Sequence, residues 1–169
     1  MTSVKTLLLN KEQTLQKIRR IAYEVYENNF EEDEIILAGI YDKGYQFAQL
    51  LKKELSNISK LNIKLIKVEL DKVSPLQSEV KLDCEFSELE NHTIILIDDV
   101  LNTGRTLAYS LKPFLNLNIK KLQTAVIVDR NHKNFPISAD YIGYALSTTL
   151  QEHIEVVLNK EEELGVYIS

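Results

Sequence analysis

The chain has 169 residues, 44% of them hydrophobic and 27% charged, which fits one globular domain spanning 1–169 and excludes both a disordered polypeptide and a large multidomain enzyme. Twenty Lys and Arg against twenty-five Asp and Glu leave a net charge of −5. Overall charge therefore disfavours RNA or DNA as a partner, although a local basic face is compatible with any net charge.

The single cysteine, Cys84, excludes an intramolecular disulfide and a multi-cysteine zinc site, and His92, His132 and His153 lie too far apart to share ligand spacing. The aliphatic runs Ile35 to Ile40 and Ile94 to Ile97 are far shorter than the ~20 residues of a membrane span. Leu7-Leu8-Leu9 runs straight into Asn10-Lys11-Glu12 and is too brief for a signal-peptide core. A cytoplasmic protein without a membrane partner is expected.

In chain order, Leu15, Ile18, Ala22 and Val25 follow helical spacing, with Asn10 and Gln13 as a cap pair and an end near Asn28-Asn29. Ile35 to Ile40 reads as a buried strand. Phe47, Leu51 and Leu55 mark a helix that stops near Ser56-Asn57, and Ile63 to Leu70 is the next strand. From Asp71 to Glu90 the pattern breaks into a long excursion or hairpin arm, the kind of segment that often carries function. Thr93 to Ile97 is a strand, Leu107, Leu111 and Phe114 lie on one short helix that Pro113 helps to close, and Gln123 to Val128 is another strand. The aliphatic patches Tyr141 to Leu146, Ile154 to Leu158 and Val166 to Ile168 complete the chain. Strand–helix–strand units in succession imply an α/β fold: a mostly parallel sheet of about five strands flanked by helices.

The chemistry concentrates in Ile94-Ile95-Leu96-Ile97-Asp98-Asp99-Val100-Leu101-Asn102-Thr103-Gly104-Arg105-Thr106. An aliphatic strand delivers two carboxylates at its carboxyl end, where open α/β sheets bind ligands. The turn that follows offers the hydroxyls of Thr103 and Thr106 and the backbone amides around Gly104, a cradle for phosphate. Phosphate in the turn and hydroxyl-accepting carboxylates beside it suit a phosphorylated sugar. A dinucleotide fold lacks its Gly-x-Gly-x-x-Gly here, and Gly39 and Gly44 have P-loop spacing but are followed by Tyr45-Gln46 instead of Lys-Ser/Thr.

This segment resembles the phosphoribosyl-pyrophosphate (PRPP) signature of the type I phosphoribosyltransferases, and among them the PyrR family of uracil phosphoribosyltransferases and pyrimidine-operon regulators. The resemblance extends to Arg20-Ile21-Ala22 and Glu24, to Val128-Asp129-Arg130 with His132, to Pro136-Ile137, to Ala139-Asp140-Tyr141-Ile142-Gly143 and to Gly165-Val166-Tyr167-Ile168. It implies a type I phosphoribosyltransferase fold with a small hood built from the chain's ends and the segment after Val128. It assigns Asp98 and Asp99 to the ribose hydroxyls, and Asn102, Thr103, Gly104, Arg105 and Thr106 to the PRPP loop that holds the 5-phosphate. It matches Tyr41-Asp42-Lys43-Gly44 to the pyrophosphate loop, where Lys43 replaces the arginine usual in PyrR relatives. Asp98, Asp99 and Lys43 are the expected catalytic residues. Mg2+ is the implied cofactor, entering with PRPP and touching Asp98 and Asp99, and a homo-oligomer is the implied assembly.

For the base, the resemblance offers Asp129, Arg130, Tyr141 and Ile142. Tyr141 could stack on the base, or equally belong to the core. Purine-specific relatives carry a carboxylate where this chain has Asn102 and a lysine where it has Asp129, so a pyrimidine, uracil, is the expected acceptor. The Tyr-Arg-Asp-Asp usual in PyrR relatives after the second strand is absent from Val68 to Ser74, where Lys72 is the one cation that could meet pyrophosphate. Three alternatives stay open: an RNA-binding regulator of pyrimidine genes, with Lys17, Arg20, Lys120, Lys121, Arg130 and Lys133 as a basic face; a purine-specific relative; and a degenerate nucleotide-binding relative.

Overall fold

A computed structural model describes residues 4–76 and 79–169. The elements in order are β1 (Thr6–Leu9), α1 (Lys11–Asn29), β2 (Glu34–Ile40), α2 (Lys43–Ile58), β3 (Asn62–Glu69), β4 (Lys81–Leu82), β5 (Thr93–Leu101), α3 (Arg105–Ser110), α4 (Lys112–Leu115), β6 (Lys121–Asp129), β7 (Tyr141–Ala145), β8 (Ile154–Val157) and β9 (Gly165–Ile168). Six strands form the main sheet in the order β4-β3-β2-β5-β6-β7, and three form a second sheet, β1-β9-β8. The main sheet is parallel except for β4, and the second is antiparallel throughout.

Strand alternation divides the core in two. Ile35, Leu37, Ile95, Ile97 and Ile127 face the side covered by α1 and α2, where Ile18, Val25, Phe47 and Leu51 are buried. Ile36, Ala38, Ile94, Leu96 and Val126 face the side covered by Leu107 of α3 and Phe114 of α4. Strands apolar on both faces need helices on both faces, which is why they read as unbroken aliphatic runs. At the start of α1, Asn10 Oδ1 accepts the Gln13 N–H at 2.8 Å and Gln13 Oε1 accepts the Asn10 N–H at 2.9 Å, the reciprocal cap expected of that pair.

The structure departs from the sequence pattern in three places and gives the excursion the form of a hairpin arm. The expected single helix around Leu107 to Phe114 is two, because Pro113 has no N–H and its ring would strike the carbonyl four residues back, so it sits in the first turn of a new helix, α4. β5 runs past Ile97 to Leu101, since β6 continues alongside it as far as the pair Leu101–Asp129. The acidic pair is therefore inside the strand rather than after it. The excursion contributes β4, which turns back on β3 through the pairs Val68–Leu82 and Glu69–Lys81, and a 3-10 turn over Phe86–Leu89; its Gln77 and Ser78 lie outside the described residues. Finally, Tyr141–Ala145 joins the main sheet beside β6 instead of the hood. The hood is β1, β8 and β9, seated on the first core cluster by Leu9, Ile154, Val156 and Val166.

No described helix is long and apolar enough to cross a membrane.

Candidate functional site

β2 and β5 are neighbours at the centre of the sheet, but the chain leaves β2 towards β3 on one side and β5 towards β6 on the other. Loops that diverge from adjacent parallel strands leave a crevice at the strands' carboxyl ends, the place where such sheets bind ligands. The chain leaves β2 through Tyr41 and Asp42, joined by a cis peptide, and Lys43 and Gly44 open α2. The loop after β5 is Asn102-Thr103-Gly104. The segment after β2 approaches β5 because position 44 has no side chain: a Cβ there would lie 2.6 Å from the Ile97 carbonyl oxygen and 2.9 Å from Asp98 Cα. Gly44 thus lets the first turn of α2 lie against the end of β5.

In the second loop, Gly104 has φ of 86°, a left-handed conformation that L side chains avoid. A Cβ there would also stand 2.5 Å from Ile137 Cγ2. The loop is braced from outside: the Thr103 carbonyl accepts N–H groups of Asn134 at 2.8 Å and Phe135 at 3.1 Å. Thr103 Oγ1 accepts the Arg105 N–H at 3.3 Å. Asp98 and residues 100–107 enclose a small cavity of about 30 Å³. First-turn amides of α3 have no intrahelical acceptor, so they and the hydroxyls of Thr103 and Thr106 offer donors to an anion.

Asp98 is 3% exposed. Its Oδ1 accepts the Asp99 N–H at 2.9 Å and stands 3.5 Å from Lys72 Nζ. Burial pushes its carboxyl well above the usual range, the adjacent Asp99 charge adds to that, and Lys72 opposes it. Lys72, a residue of the excursion, therefore reaches the crevice. Asp99 is only partly buried and remains accessible.

The residues expected for PRPP, Asp98, Asp99, Asn102, Thr103, Gly104, Arg105 and Thr106, thus share one end of the sheet with Tyr41, Asp42 and Gly44. Lys43 opens α2 beside them, but its side chain lines a different cavity, about 340 Å³, with Lys5, Glu155 and Tyr167 of the hood. Asp42 Oδ1 accepts from Gln46 Nε2 at 3.0 Å.

The four residues expected at the base already have partners within the protein. Tyr141 is 2% exposed at the start of β7, level with Ala125 rather than with the strand ends, and donates its hydroxyl to Gln123 Oε1 at 2.9 Å. It is core. The Ile142 carbonyl accepts from Arg20 Nη2 at 3.1 Å, and its side chain packs on the second core cluster. Asp129 Oδ1 accepts the Asn131 N–H at 2.9 Å, which commits that carboxylate to the turn leaving β6. Arg130 is held by protein acceptors on two segments, Asn102 and the 148–152 turn. Four of the six residues expected on a basic face stand at opposite ends of the sheet. Lys120 pairs with Glu32 and Lys121 reaches the Asn28 carbonyl at one end of β6, while Arg130 and Lys133 stand at the other, roughly 30 Å away along the strand.

Sequence reasoning missed Lys67. Its Nζ lies 5.2 Å from the centroid of Tyr41 and 5.0 Å from that of Tyr45, a cation held over two rings beside the loop after β2. Pairing of β3 with β2 brings it there, a relation no local pattern reveals.

Among the described residues no group of three or more His, Cys, Asp and Glu could hold a metal ion. The Asp98–Asp99 pair fits a different arrangement: Mg2+ prefers one or two carboxylates together with substrate phosphates and waters over an all-protein cage.

A doubly wound sheet with an acidic pair on its central strand, a hydroxyl–glycine turn beyond it and an antiparallel hood is the fold of the phosphoribosyltransferases. The hypoxanthine phosphoribosyltransferase of Trypanosoma cruzi superposes with a TM-score of 0.80 at 16% identity, covering 96% of this chain and 95% of that one. A hypoxanthine-guanine phosphoribosyltransferase from Bacillus anthracis gives 0.76 at 20% identity, covering 99% and 98%. At such identities the likeness concerns the fold alone. The phosphoribosyl transferase domain family matches residues 5–159, and the chain belongs to this family. It is 32% identical over 160 residues to the "Bifunctional protein PyrR" of Haemophilus ducreyi, covering 89% of this chain and 88% of that protein. It is 36% identical over 148 residues to the protein of the same name from Streptococcus thermophilus, covering 85% and 84%.

Proposed function

We propose that this chain transfers the 5-phosphoribosyl group of PRPP to uracil, giving the nucleoside monophosphate and pyrophosphate. The observation that carries the reading is the contact of Gly44, at the start of α2, with Asp98 on β5, which sets the segment after β2 beside the acidic pair at the end of the sheet where the Asn102–Thr106 turn follows. One loop takes the pyrophosphate, the other the 5-phosphate, and the carboxylates between them accept the ribose hydroxyls.

The ring nitrogen of the base displaces pyrophosphate at C1 of the ribose, so the protein needs no nucleophile of its own. Its residues hold the two reactants in line and offset charge on the departing oxygens. Mg2+ bound with PRPP would offset charge on the leaving group; Asp98 and Asp99 are the residues to hold it. Lys72, whose Nζ stands 3.5 Å from Asp98 Oδ1, is the cation of the excursion that would meet the leaving group.

Uracil is favoured by Asn102, which cannot take a proton from a purine as a carboxylate can. Its Oδ1 already accepts from Arg130 Nη1 at 2.9 Å, so the amide N–H groups are what it can turn to a ligand. A homo-oligomer and a cytoplasmic location are part of the same proposal.

The test is steady-state formation of nucleoside monophosphate from PRPP with uracil, hypoxanthine and guanine in turn. A higher kcat/KM with uracil is expected. Turnover confined to a purine overturns the choice of base, and PRPP binding without turnover on any base overturns the enzymatic reading.

A further inference from the structure

Arg130 follows β6 and has five N–H donors in a planar fork. Four are engaged. Nε donates to Thr148 Oγ1 at 2.9 Å and Nη1 to Asn102 Oδ1 at 2.9 Å, while Nη2 donates to the Thr149 carbonyl at 3.2 Å and the Glu152 carbonyl at 2.5 Å. The main chain of the same residue donates to the Leu101 carbonyl at 3.1 Å. Thr148 is buried, and the 149–152 turn that supplies the two carbonyls is closed by the Thr149 N–H on Glu152 Oε2 at 2.6 Å. One side chain therefore joins the loop after β5 to the segment that leads from β7 into the hood. The residues after Arg130 brace the same loop at the Thr103 carbonyl.

We propose that Arg130 is a positioning residue: it fixes the Asn102–Thr106 cradle against the 148–152 turn, so that the amides and hydroxyls for the 5-phosphate are set before the ligand arrives. This deepens the phosphoribosyltransferase reading and rests on it. A guanidinium is required because only a planar fork meets four acceptors on two segments at fixed angles. A lysine keeps the charge but is a point donor on a flexible stem, and it leaves Asn102 free to turn. Preorganisation of this kind acts on affinity at the fixed loop and not on groups held elsewhere.

The experiment has two arms on the full chain. In the first, hydrogen exchange of the ligand-free protein is compared between wild type and Arg130→Lys. Faster exchange in residues 101–107 and 146–152, with residues 41–46 unchanged, is expected; unchanged exchange in 101–107 overturns the proposal. This arm needs no ligand and stands even if the phosphoribosyl reading fails. In the second, calorimetry measures ribose 5-phosphate and pyrophosphate separately. Arg130→Lys should weaken ribose 5-phosphate about tenfold, the loss expected for a charge-assisted hydrogen bond, and leave pyrophosphate unchanged. Asn102→Ala should give a similar loss, and the double variant no more than the larger single one, because both remove one link. Equal losses for both ligands, or losses that multiply, overturn it. Wild type that binds no ribose 5-phosphate sinks the phosphoribosyl reading, while altered exchange in Arg130→Lys would still uphold the strut.

Discussion

Lys72 Nζ stands 3.5 Å from Asp98 Oδ1, so a cation of the excursion occupies a carboxylate that the proposed function assigns to the ribose. The pair brings a mobile-stemmed ammonium to the crevice and must separate when the sugar hydroxyls arrive. Lys72→Gln is therefore expected to leave ribose 5-phosphate affinity undiminished while lowering kcat by about tenfold or more, through loss of a charge that meets the leaving group. Parallel calorimetry and steady-state kinetics check it. A loss of ribose 5-phosphate affinity would assign Lys72 to the ground state instead.

Asp98 links stability to pH. Its carboxyl is raised above the ordinary value of 3.8 by burial and by Asp99, so between that value and its own the folded state holds a proton that the unfolded chain has released. Stability then falls as pH rises through this window, and the deficit is complete above the raised value. Asp98→Asn removes the charge with the shape kept. It should be more stable than wild type by about 1 kcal/mol at pH 8 and no more stable near pH 4, while losing ribose affinity. Urea unfolding at pH 4, 6 and 8 reads the difference.

Gly44→Ala places a methyl against the Ile97 carbonyl and Asp98 Cα, atoms of backbone that cannot step aside. A cost of about 1–3 kcal/mol in stability is expected from overpacking, with weaker pyrophosphate binding as α2 moves off β5. Native-like stability together with native pyrophosphate affinity would separate the two loops.

Tyr141→Phe tests the reassignment of that residue to the core. Loss of its bond to Gln123 should cost about 1 kcal/mol and leave the KM for the base unchanged. A raised KM for uracil with unaltered stability would return Tyr141 to the base.

Much of the site was legible because its chemistry is local. Asp98 to Thr106 is contiguous, and a strand, an acidic pair and a hydroxyl–glycine turn constrain one another within a few residues. Tyr41 to Gly44 was singled out by resemblance rather than by local chemistry, and the Lys43 side chain lines a cavity of the hood instead. The partners of Arg130 and Tyr141 were not legible, because residue type says what a side chain can donate or bury, and not which groups reach it. Thr148 and Asn102 lie far apart along the chain and take the guanidinium only after β5, β6 and β7 have paired.

The sequence by itself determined the alternation of buried strands and amphipathic helices, the cap of α1 and the chemistry of the acidic pair and its turn, since each depends on neighbours within one helical turn or one strand. Tertiary structure alone decided the strand order that opens a crevice between β2 and β5, the approach of Lys72 to Asp98 and the commitment of Arg130. Those depend on pairings between distant segments, where close packing and the need to satisfy buried polar groups select one partner from many that local patterns allow.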